Sequence, residues 1–81
     1  MKPFKKWVVA RGGAYGLSKK INASPVIIGL WLLGLVTPRA EMIFDLVRKG
    51  RGAFSAEDVL RETYNRKARK AYAKRAETSR R

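Results

Sequence analysis

Lysine and arginine are the side chains of this sequence with the most chemistry to perform, and what they perform is charge-assisted contact with anions. The 81 residues hold 19 Lys and Arg against 6 Asp and Glu, a formal net charge of +13. An excess of that size calls for an anionic neighbour, and RNA, anionic lipid or an acidic protein surface would each serve. The cations are unevenly placed. Residues 1–20 carry Lys2, Lys5, Lys6, Arg11, Lys19 and Lys20 and no acid, residues 21–38 carry no charge, and residues 39–81 carry the remaining cations with every acid.

Other chemistry is sparse. There is no His and no Cys, which removes the usual near-neutral acid–base group, the thiolate nucleophile, disulfides and the commonest metal ligands. The glycine-rich run RGGAYG at residues 11–16 lacks the spacing and context of a phosphate loop. No Ser, Thr, Tyr or Lys has a base partner that spacing would bring to it. The expectation is a non-catalytic chain with no cofactor and no metal site.

The densest cationic run is RKARKAYAKRAETSRR at residues 66–81, on a basic helix in which Tyr64 and Tyr72 are interleaved. Such a segment suits a phosphate backbone, its tyrosines stacking on bases or sugars. It suits anionic lipid headgroups, cardiolipin among them, as well. It also reads as a solvated charged face, and no zinc-finger spacing, RNP strand or suitable GXXG loop accompanies it. The helix bearing it opens at Ser55, where SAED is a capping-box variant with Asp58 at the third position, and runs to about residue 77. Val59, Leu60, Tyr64, Ala68 and Ala71 share a narrow stripe, and Glu62 to Arg66 is a favourable i, i+4 pair.

The elements that position these cations centre on the uncharged stretch INASPVIIGLWLLGLVTP, residues 21–38. Ser24 is a candidate N-cap and Pro25 fits the first helical turn. The nine large apolar side chains from Val26 to Val36 point in every direction around a helix, so lipid or protein must surround it. At 1.5 Å per residue the stretch reaches about 27 Å against a hydrocarbon core of roughly 30 Å, a marginal span. Insertion is favoured by a few kcal/mol at best. The rival reading is a buried helix of a small protein, for which the two arms offer few apolar partners.

On that basis the expected fold class is all-α with no independent globular core. Residues 1–20 form a short basic amphipathic N-terminal helix and flexible turn, with the character of a membrane-surface arm or a retained targeting signal. Residues 21–38 form one transmembrane helix, which Pro38 either ends or merely kinks on the way to Lys49. Residues 39–54 form a juxtamembrane helix and Gly-rich turn, with Thr37 as its expected N-cap. Residues 55–81 form the amphipathic, basic C-terminal helix and tail. Gly29, Trp31 and Gly34 are the candidate packing residues of the span, and Lys19, Lys20, Arg39, Arg48 and Lys49 the candidates for the headgroup boundary.

The segment KKINASPVIIGLWLLGLVTP, with prolines at both ends of the apolar run, resembles the span of one-helix accessory subunits of mitochondrial respiratory complexes, a small subunit of complex I above all. The likeness covers about a quarter of the chain. It implies a non-catalytic single-pass subunit of the inner mitochondrial membrane that stabilises an energy-transducing assembly, with larger membrane subunits and cardiolipin as contacts. The alternative is an RNA-binding protein of a ribosome-like particle, its apolar helix buried in protein and its basic tail on phosphate.

Overall fold

Proline starts two of the helices, at positions where its missing N–H costs nothing. Pro3 opens α1 (Pro3–Ala10) and Pro25 opens α3 (Pro25–Leu32). The computed structural model describes residues 2–79, with side chains through Arg75. Within that range α2 (Gly13–Ser18), α4 (Ala40–Gly50), α5 (Ala56–Glu62) and α6 (Arg66–Ser79) complete an all-helical chain. Arg80 and Arg81 of the basic tail lie outside the described residues.

The helices corroborate the all-α expectation and overturn the transmembrane one. No helix among the described residues is long and apolar enough to cross a membrane. The cause is a stop signal inside the uncharged stretch. Ser24 caps α3 as its spacing suggests, its hydroxyl accepting the Ile27 N–H at 3.2 Å. Eight residues later the helix closes in a Schellman motif: the Leu35 N–H donates to the Leu30 carbonyl at 2.9 Å and the Gly34 N–H to the Trp31 carbonyl at 3.0 Å. Gly34 supplies the left-handed residue, at φ 78°. An eight-residue helix is about 12 Å long, well under half of a hydrocarbon core. Single-pass placement in a membrane, the mitochondrial inner membrane included, therefore loses its structural basis.

The expectation of no globular core is corrected as well. Phe4, Trp7, Val8, Leu17, Ile28, Trp31, Ile43, Leu46, Phe54 and Val59 form one buried cluster. A helix of eight residues needs far less wrapping than one of eighteen: Ile28 and Trp31 are buried, while Val26 and Leu33 stay exposed. The partners come from short helices at both ends of the chain, with α1 on α2 and α5, α2 on α3, and α4 on α5. Phe54 meets Phe4 and Trp7 at ring-centroid distances of 5.1 Å each, an edge-on grouping that adds about 0.5–1.5 kcal/mol per pair. The Arg11 guanidinium lies 4.2 Å from the Trp7 ring centroid.

Capping ties the ends of the chain together. The Glu62 carboxylate accepts the Phe4 N–H at 2.9 Å and the Lys5 N–H at 2.8 Å, closing the open donors of α1 from the last residue of α5. The capping box at Ser55 is present, with the Asp58 N–H on the Ser55 hydroxyl at 3.1 Å and the Ser55 N–H on the Asp58 carboxylate at 2.9 Å. Two expected boundaries move. Residues 37–39 are outside any helix and Arg39 is extended, so α4 starts at Ala40 after Arg39 rather than after Thr37. The helix expected from Ser55 onward breaks at residues 63–65 into α5 and α6.

Candidate nucleic-acid interface

The break at residues 63–65 gives α6 its own direction, and a polar joint holds its base. Asn65 caps α6, its side-chain oxygen accepting the Ala68 N–H at 3.0 Å. The Asn65 N–H donates to the Gly34 carbonyl at 2.9 Å. One turn on, Arg69 inserts its guanidinium between the two loops. Its Nε donates to the same Gly34 carbonyl at 3.0 Å, and its Nη2 donates to the Thr37 hydroxyl at 2.8 Å and the Thr63 carbonyl at 3.0 Å. Beneath it the fully buried Thr63 donates its hydroxyl to the Val59 carbonyl at 2.7 Å. The Tyr64 ring covers the guanidinium, 4.1 Å from centroid to Cζ.

Past this joint α6 leaves the globule. Ala71, Tyr72, Ala73, Lys74 and Arg75 are all exposed, and among the described residues α6 shares no extended packing face with another helix. Its fourteen residues extend about 21 Å, which accounts for much of a molecule measuring 45 × 23 × 23 Å. Lys67, Lys70 and Lys74 lie within about 60° of one another around the helix and spread over about 10 Å of its length. They line an open concavity with Ala71 and Ala73. Arg66 borders the same side, and no Asp or Glu occurs from residue 63 to residue 76. Tyr64 and Tyr72 are 55% and 60% exposed, which leaves ring surface for stacking.

The residues expected to mark a span and its boundaries fall elsewhere in function and place. Trp31, 3% exposed, packs into the chain's own core. Gly34 is the helix stop and lies against Asn65, where an added Cβ would sit 2.8 Å from the Asn65 nitrogen. Gly29 faces open space. Lys19 reaches over the Tyr15 ring at 4.5 Å, while Lys20 and Arg39 are exposed. Arg48 and Lys49 converge on the Asp45 carboxylate at 3.0 and 3.2 Å. The hydrogen bond from Lys49 holds that carboxyl below its ordinary value near 3.8; desolvation opposes it, and the charge of Lys49 and the contact with Arg48 add to the lowering.

The structure therefore does not gather the five boundary cations into one surface; two of them are spent on an intrahelical ion pair. Arg69, which carries the joint, is one cation among many in the sequence, and only its position four residues after the capping Asn65 sets it apart. Comparison with protein-family models, with curated proteins and with solved structures gave no match.

Proposed function

We propose that this chain binds nucleic acid, laying α6 along the phosphate backbone. The observation that carries the reading is the stripe of Lys67, Lys70 and Lys74 on a helix whose base is locked and whose side chains from Lys70 to Arg75 are exposed. Cations at this density repel one another, and a polyanion relieves the repulsion while releasing its own counterions. The joint at Arg69 pre-organises the rod, so little ordering entropy is lost on binding.

Two features favour phosphate over the other anionic surfaces. Between the cations of α6 stand alanines and one tyrosine, without the bulky apolar face that an interfacial helix sinks into lipid. The exposed ring of Tyr64, at the base of the stripe, can stack on an unpaired base, a contact of about 1–3 kcal/mol per base that an acidic protein surface does not offer. A structural role in a ribonucleoprotein-like assembly is the setting such a module fits.

Fluorescence anisotropy with labelled single-stranded and duplex probes, both RNA and DNA, tests the reading. Binding is expected at low salt, and Lys67→Glu/Lys70→Glu/Lys74→Glu should weaken it on the order of 100-fold. Equal binding of the triple variant, or tighter binding to anionic vesicles or polyglutamate than to any nucleic acid, would refute it.

A further inference from the structure

Tyr64 stands just ahead of the lysine stripe, and one face of its ring is already occupied. The Arg69 guanidinium lies 4.1 Å from the ring centroid, and its bonds to Gly34, Thr37 and Thr63 fix that guanidinium in turn. A ring resting on an immobile cationic plane is held in one orientation, so it loses little side-chain entropy when a ligand packs on it. The residue is nevertheless 55% exposed, which leaves the opposite face of the ring open.

We infer that Tyr64 makes this surface select single-stranded nucleic acid, an unpaired base stacking on the open face of the ring while the lysines of α6 hold the phosphates beside it; the inference rests on the nucleic-acid reading above. The lysines alone do not make this choice. A duplex carries about one charge per 1.7 Å of its axis, and each contact to it releases more counterions than a contact to a single strand. A bare stripe of cations therefore binds duplex at least as well. The ring reverses that order. In a duplex each base is covered by its neighbours, and exposing its face costs unpairing and unstacking, whereas a single strand offers base faces without that cost.

Position separates Tyr64 from the other exposed tyrosine of this region. Tyr72 is 60% exposed, but it lies about 160° around α6 from both Lys70 and Lys74. A base stacked on Tyr72 would hold its strand on the side of the helix away from the stripe. Tyr64 sits at the base of the stripe, three residues before Lys67, where a stacked base and the first phosphate contact belong to the same stretch of strand.

The experiment measures affinities by fluorescence anisotropy for single strands of about ten nucleotides, as RNA and as DNA, for an abasic strand of equal length, and for a duplex of equal length. The wild type should bind at least one intact strand about tenfold more tightly than the abasic strand, and more tightly than the duplex. Tyr64→Phe should keep both preferences. Tyr64→Ala should lose them on the intact strands while its affinity for duplex stays within about twofold of the wild type, and Tyr72→Ala should behave as the wild type. Hydrogen exchange through α6 verifies that each variant keeps the joint, and the abasic strand reads stacking on the unaltered chain. The inference is overturned, with nucleic-acid binding left intact, if the wild type binds the abasic strand as tightly as both intact strands or the duplex more tightly than both. The same holds if Tyr72→Ala loses as much as Tyr64→Ala. Failure of the wild type to bind any of these probes overturns both readings together.

Discussion

Arg69 and Gly34 meet at the base of α6, guanidinium Nε to carbonyl oxygen at 3.0 Å. That contact joins the place where the apolar helix stops to the place where the basic helix starts. The Gly34 carbonyl also accepts the Asn65 N–H at 2.9 Å, so the left-handed turn that ends α3 presents its oxygen to two donors from α6. A helix with little packing of its own is thereby held by polar contacts on a rigid neighbour.

Removing the guanidinium should free α6 without dissolving the core. Arg69→Ala deletes three hydrogen bonds to Gly34, Thr37 and Thr63, and bonds to a charged group contribute about 1.5–3 kcal/mol each net of the bonds to water they replace. Hydrogen exchange should accelerate through α6 while the amides of α1 and α4 remain protected. Arg69→Lys should behave similarly, since a single ammonium cannot span the three acceptors. Unchanged protection of α6 in Arg69→Ala would show that the joint does not hold it.

Gly34 combines a positive φ with a close neighbour. In Gly34→Ala the new Cβ carries the strain of φ 78° and meets the Asn65 backbone, a loss of about 1–3 kcal/mol. Urea denaturation should report it as a lower midpoint. Gly29→Ala is the control, with open space at the added carbon and a helix interior that favours alanine; it should be neutral or stabilising by up to about 1 kcal/mol.

Glu62 closes the start of α1 from a distant part of the chain. Glu62→Ala leaves the Phe4 and Lys5 N–H groups without their acceptor and should cost about 1–2 kcal/mol, in the range of a lost N-cap. The loss should appear in thermal unfolding, with the amides of Phe4 and Lys5 exchanging faster. Glu57→Ala, at an exposed i, i+4 pair with Arg61, should change stability far less.

Asp45 gives a pH dependence with a definite sign. Its folded carboxyl titrates below the ordinary value near 3.8 because Lys49 and Arg48 favour the ionised form. Its contribution to stability is therefore complete above that value and disappears as pH falls through the lower folded value. Titration by NMR should place Asp45 lower in the wild type than in Lys49→Met. A higher or equal value in the wild type would contradict the assignment.

Parts of this fold are legible in the residues themselves. Ser24 with Pro25, and Ser55 with Asp58, announce helix starts because their caps are local hydrogen bonds made within three residues. Gly34 is equally local in principle: a glycine that follows the apolar run and takes the left-handed position is a stop signature. Read only as a small packing residue, it allows eight helical positions to pass for eighteen, and an apparent span follows. The core is less legible because its members come from short helices far apart in sequence, as between Phe4 and Phe54. No periodicity within one segment reveals such a closure. The basic stripe is visible as composition, whereas the joint depends on a tertiary meeting of Arg69 with Gly34 and Thr37 that no spacing predicts.

The number of cations that α6 places on phosphate is read most directly from the salt dependence of binding. The logarithm of the association constant should fall linearly with the logarithm of salt concentration, and replacing Lys67, Lys70 and Lys74 by Gln should flatten that slope by about 2–3 units, near 0.7 per contact on single strands and 0.9 on duplex. A slope that stays the same in the triple Gln variant would contradict the account, because the stripe on α6 would then touch no phosphate.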